Sequence, residues 1–161
     1  MSAIVKEALA AELAQLTPVV AHPVAPFGYG SDISGADDLD PNMAEVDGSS
    51  TLALAQAIVR RLDCPAGALP DDEDHGIDLR SYCNRGVTAQ AVRALAGRIR
   101  NELSKDDRIA SVNVTVRPSN AGKTLGVELA VQAVDPAIGG FSLTLSASSA
   151  SVLLEEIRAA A

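Results

Sequence analysis

From residue 108 onward the chain alternates apolar and polar side chains with a period of two. Val112, Val114 and Val116 alternate with Asn113, Thr115 and Arg117, and Leu125, Val127, Leu129 and Val131 with Gly126, Glu128, Ala130 and Gln132. Between these runs, Pro118 to Lys123 holds Asn120 and Gly122, residues that suit a turn. The pattern predicts a β-hairpin with one buried face. After Gly139-Gly140, Phe141, Leu143 and Leu145 alternate with Ser142, Thr144 and Ser146, predicting a third strand. Residues 148–161 carry two patterns: Val152 and Leu154 continue the alternation, whereas Glu155, Glu156, Arg158 and the closing alanines favour a helix. We take 150–155 as a strand.

Before residue 105 the apolar period is 3.6. Val5, Leu9, Leu13 and Leu16 predict a helix over 2–16, opened by Ser2 and stopped by Pro18. Leu52, Ala55, Ile58, Val59 and Leu62 predict a second over 51–62, with Arg60 and Arg61 in the last turn, where cations suit the helix dipole. Val92, Leu95, Ala96, Ile99 and Leu103 predict a third over 89–104, capped by Thr88, with Arg93, Arg98 and Arg100 facing away. Its arginines, diluted by Glu102 and Asp106, read as a solvated face. A short helical turn is expected from Leu79 to Cys83. Residues 17–50 lack periodicity and are punctuated by Pro18, Pro23, Pro26, Gly28, Gly30 and Gly35; so long a connection reads as an arm over a surface. The expected fold class is α+β, with helices packed on one face of a small antiparallel β-meander.

Length and composition suit one core-forming domain of 161 residues. Aromatics are 2% of the chain, so the core must be aliphatic and a base-stacking surface is disfavoured. The net charge is −8, and no Lys or Arg lies between Lys6 and Arg60, a span that contains eight acids. Such a surface repels phosphate and suits a basic protein partner, or simply solvent. No nucleic acid is expected as a partner. Glu7 and Glu12 interrupt the first apolar stretch, which therefore does not read as a secretory leader. No apolar run approaches the ~20 residues that span a bilayer, so a soluble protein made in the cytoplasm is expected, without a membrane partner.

Candidate chemistry is sparse. His22 and His75 stand in no nucleophile motif, and no glycine-rich phosphate loop suggests a cofactor. Asp71, Asp72 and Glu73 are adjacent and read as solvated, whereas an acid–base pair needs one carboxyl kept protonated in a dry site. Asp74-His75-Gly76 with Asp78 meets the pattern of a calcium loop only in part, and turn chemistry explains these residues better. Cys64 and Cys83 fit no metal spacing, and nothing in the sequence calls for a disulfide between them. No catalytic, metal or cofactor residue is assigned.

The ordered motifs Tyr29-Gly30-Ser31-Asp32, Asp37-Asp38-Leu39-Asp40-Pro41-Asn42, Leu54 to Leu62, Pro65-x-Gly67, Gly76-Ile77-Asp78-Leu79-Arg80, Asn84 and Leu103 to Ile109 resemble the baseplate wedge, or sheath-initiator (GPW, lysozyme-like), family of contractile phage tails and phage-like injection systems. The resemblance spans roughly residues 28–157 and divides the chain into an N-terminal helix and linker (1–27) and a sheath-initiator domain (28–161). It implies a fold like the linking (handshake) domain of the sheath protein. It also implies six copies in a ring around the tail tube, within a virion or injection-particle baseplate assembled in the bacterial cytoplasm. The implied partners are the tail sheath protein, the core-bundle proteins of the wedge, and tube or hub proteins.

On this resemblance Cys64, Pro65, Ala66 and Gly67 form the wedge-binding loop, and Asp37, Asp38, Asp40 and Asn42 make arm or partner contacts. The strand edges expected to take sheath arms by β-augmentation are Val112, Asn113, Val114, Thr115 and Val116, and Leu143, Thr144 and Leu145, because these strands are read as ending the meander. Two positions depart from the family pattern. Ala66 stands where relatives often have Arg, whose forked contacts Ala cannot make, and His75 stands where they often have Tyr. Because some relatives carry a lysozyme-like label, peptidoglycan cleavage through the acids of 71–78 is the alternative activity.

Overall fold

The computed structural model describes residues 29–34, 45–83, 89–119 and 123–159. A two-stranded antiparallel ribbon, β1 (Ser31–Ile33) with β2 (Glu45–Asp47), comes first. Three helices follow: α1 (Thr51–Asp63), α2 (Leu79–Tyr82) and α3 (Ala89–Leu103). The chain ends in four strands, β3 (Ile109–Ser119), β4 (Thr124–Ala133), β5 (Gly140–Ala147) and β6 (Val152–Ala159), which form one antiparallel sheet in the order β3-β4-β5-β6. The fold is α+β. The expected helix at 2–16, the Thr88 cap and the acids Asp37, Asp38 and Asp40 with Asn42 lie outside the described residues.

The helices form where the 3.6-residue period places aliphatic side chains in a row. In α1 the fully buried row is Leu54, Ile58 and Leu62, and in α3 it is Leu95, Ile99 and Leu103. The α1 face is therefore rotated from the expected one: Leu52 and Val59 are only half-buried, and Val59 borders the core. Ser50 caps α1, its hydroxyl accepting from the Ala53 N–H at 3.1 Å. α3 packs on β3 and α1 on β6, so both cover the same sheet face. That face presents Val112, Val116, Leu125, Val127, Leu129, Val131, Phe141, Leu143 and Leu145, all buried. The other face carries Asn113, Thr115, Glu128, Ser142, Thr144 and Arg158 toward solvent.

Two bulges shape the edge strands. In β3, Ile109 pairs with Ala133 and Ser111 with Gln132, which leaves Ala110 extra. In β6, Leu154 pairs with Leu145 and Glu156 with Thr144, which leaves Glu155 extra. An extra residue shifts the parity of everything beyond it. Val152 and Leu154 therefore oppose the inward Ala147 and Leu145, and Ile157 opposes the inward Leu143. The spacing 152, 154, 157 that mimicked a helix is a strand with one bulge, and it runs further than 150–155. The first hairpin is also longer than expected, since Pro118 lies within β3 opposite Leu125. An edge strand tolerates proline because one side of its backbone has no partner.

Candidate interaction site at the sheet edge

The expected edge at Leu143, Thr144 and Leu145 is corrected by the sheet order. β5 is an interior strand, paired with β4 on one side and β6 on the other. Its backbone donors and acceptors are used by its neighbours, so no incoming strand can add there. The residues that close the meander on that side are Val152 to Ala159. Val112 to Val116 lie in β3, which among the described residues pairs with β4 alone and is an edge strand of the sheet.

The two edges differ in how the helices cover them. Beneath β3, Ile109, Val112 and Val116 are buried by α3, and Val114 is half-buried. Beneath β6, Val152 is buried while Leu154 and Ile157 are only half-buried; Leu153, opposite Ser146 on the other face, is 59% exposed. Beside β6 lies a groove of about 570 Å³ between the strand and α1. Leu52, Gln56, Val59 and Arg60 form one wall, and residues 152–154 the other. Leu52 and Val59, the part of the α1 apolar stripe that the core leaves uncovered, thus face an edge strand whose own apolar residues are also incompletely covered.

Arg60 at the groove is fixed from the ribbon side. Its guanidinium donates to the Asp32 carboxylate and holds that carboxyl below its ordinary value. Tyr29 packs under Arg108, 5.5 Å from guanidinium carbon to ring centre, and Arg108 in turn grips Asp106 through two bonds of 2.9 and 2.7 Å. Gly48 lets the ribbon close on itself: its N–H donates to the Gly30 carbonyl at 2.8 Å, and a Cβ there would lie 2.4 Å from that oxygen. The first motif of the resemblance, Tyr29 to Asp32, therefore ties the start of the described chain to α1 and to the α3–β3 junction.

The loop containing Cys64, Pro65, Ala66 and Gly67 is a closed excursion. The Asp78 N–H donates to the Cys64 carbonyl at 3.0 Å, and the Gly67 N–H to the Glu73 carbonyl at 2.8 Å. Residues 65–74 are all exposed. Gly76 closes the base at φ +94°, where an added Cβ would lie 2.2 Å from the Cys64 carbonyl oxygen. Beneath the loop sits Glu102, with 6% of its surface exposed. Its carboxylate accepts from the Gly76 N–H at 2.8 Å and Arg61 at 3.1 Å, and pairs with Lys105 at 2.7 Å. Burial opposes its ionisation, but Lys105, the Gly76 amide and Arg61 outweigh that and hold the carboxyl below its ordinary range. The reading of Glu102 as part of a solvated face is thus corrected: besides Lys105, three residues on, its partners come from α1 and the loop, 26 to 41 residues away.

His75 lies 3.5 Å from Asp72 across the loop. Among the described residues, no three His, Cys, Asp or Glu side chains gather as a metal-binding group. Cys64 and Cys83 are free thiols; Cys83 is buried beneath the sheet, and burial pushes its thiol up. No helix among the described residues is long and apolar enough to cross a membrane. Among the described residues the site is therefore an open antiparallel sheet edge beside an apolar groove, with a hydrogen-bonded, closed loop elsewhere on the body. No protein-family model matches the chain, and no match is found among curated proteins.

Proposed function

We propose that this chain is a structural component of the baseplate of a contractile tail, and that sheath polymerisation starts on it when the β6 edge accepts an extended arm from the first sheath ring. The observation that supports β6 over β3 is the groove beside it: half-buried Leu154 lines it together with Leu52 and Val59 of α1, whereas on β3 Val112 and Val116 are buried beneath α3 and Val114 between them is half-buried. An added strand would take main-chain bonds from β6 and lay alternate side chains over these residues. In this reading the sheet and its helices serve as a linking domain like that of the sheath protein. Six copies form a ring around the tube, with contacts to tube or hub proteins. The exposed loop at Cys64 to Gly67 docks on the wedge core bundle, through backbone and shape because Ala66 offers no fork. The role is assembly without turnover, within a tail baseplate or injection particle put together in the bacterial cytoplasm.

Single prolines placed in turn from Leu153 to Arg158 test the edge. Where the native N–H points away from β5, proline leaves the fold intact and removes a bond to the incoming strand. At least one folded variant is expected to lose sheath-protein capture by about tenfold or more, the equivalent of one main-chain bond. Prolines at Asn113 and Thr115 in β3 are expected to leave capture unchanged. Normal capture by every folded β6 variant would refute the assignment, and loss confined to the β3 variants would move the site to the other edge.

A further inference from the structure

We infer that the β6 edge pairs with the β6 edge of a second copy of this chain, antiparallel about a two-fold axis at Ile157. Among the described residues β6 is hydrogen-bonded on one side only, to β5. Its register sets the faces of its last residues. Ile157 opposes the inward Leu143, whereas Glu156 and Arg158 oppose Thr144 and Ser142 on the solvent face. The solvent face of the edge thus carries an acid and a base, one on either side of an apolar residue directed inward.

That order is self-complementary. A two-fold axis pairs residue i of one copy with residue j of the other, and j with i. With Ile157 on the axis, Glu156 of each copy stands opposite Arg158 of its mate, on one face and within reach of an ion pair. Ile157, half-buried in the single chain, lies against its counterpart. Within one chain Arg158 and Glu156 pair with each other at 2.6 Å, their side chains 71% and 44% exposed, so both can re-pair across the axis. The bulge at Glu155 interrupts the strand just before this stretch, which keeps the shared ladder short and the association reversible. The β3 edge lacks this order. Ile109 to Ser119 contains Arg117 and no acid, so two β3 edges bring together no unlike charges, and Pro118 removes a donor from the ladder.

The test is sedimentation equilibrium of the full chain over a range of concentrations. The native chain is expected to show a monomer–dimer equilibrium. Glu156→Arg and Arg158→Glu each set like charges opposite one another twice per dimer, and each is expected to weaken the dimer about tenfold or more. Mixing the two variants restores both unlike pairs, so a heterodimer of native strength is expected, as is a homodimer of the double variant Glu156→Arg/Arg158→Glu. Recovery in the mixture also shows that the single variants are folded. A native chain that stays monomeric, single variants that dimerise as the native chain does, or a mixture that fails to recover overturns the proposal. The dimer stands without the proposed role in a tail; only its consequence, that the pair must part before β6 takes a sheath arm, rests on that role. Sheath-protein capture is therefore expected to be weaker for the mixture than for either variant alone at the same total concentration. Equal capture leaves the dimer standing and removes β6 as the acceptor edge.

Discussion

Glu102 is the residue on which the shape of the loop most depends. Its buried carboxylate gathers a backbone N–H from the loop, an arginine from α1 and a lysine from the end of α3. Removing one member of such a group leaves the others buried and unmatched, so Glu102→Ala is expected to cost about 3 kcal/mol of stability in denaturant titrations. The pH dependence follows from the direction of its shift. A carboxyl whose folded value lies below the ordinary 4.5 contributes its stabilisation above that value and loses it as pH falls toward the folded one. Stability should therefore decline as pH drops below about 4.5, and Glu102→Gln should flatten that decline. An unaltered acid slope in Glu102→Gln would show that the carboxylate is not held by these partners. The sequence could not announce this residue. Lys105 three residues on is a pairing any solvated helix acid could make, and the partners that distinguish Glu102, Gly76 and Arg61, are distant along the chain. The same holds for Asp32 and Arg60, whose pairing joins an apparently aperiodic stretch to a helix.

At the scale of elements, β6 combines the features that made the tail hard to read. Its bulge at Glu155 breaks the two-residue period, while Glu155, Glu156 and Arg158 raise helix propensity. The hydrophobic pattern was clear wherever strands were regular, as in β4 and β5; it marked a strand at 150–155 but not that this strand pairs with β5. Because β6 exists, Leu143 to Leu145 are interior. A bulge and charges are also ways to keep an edge from pairing indiscriminately. Deleting Glu155 restores strict alternation through Val152, Leu154 and Ile157 without turning Ile157 outward. The variant is therefore expected to fold with a melting midpoint within about 5 °C of native. It should also self-associate at lower concentration in sedimentation experiments, since its edge is flatter. Loss of folding would mean that the bulge is required for packing on α1 rather than for guarding the edge.

At the scale of the whole molecule, the described residues form a sheet covered on one face by helices, with two edges of unequal cover and a closed loop standing out from the body. Local periodicity was enough to read helices first and an antiparallel meander after, since each element buries an aliphatic row that recurs with its own period. What periodicity cannot supply is where apolar cover stops. Leu52 and Val59 belong to the α1 stripe, yet the core takes Leu54, Ile58 and Leu62 and leaves the other two at the groove. In the proposed role, that uncovered remainder beside β6 is the surface an incoming arm would cover. The central claim is that this chain starts sheath growth, and it is tested most directly by electron microscopy of sheath polymerisation on purified baseplates with and without this subunit. The account expects sheath to begin only on baseplates that contain it, with growth restored when the protein is added back. Sheath of normal length and frequency on baseplates lacking it would contradict the account.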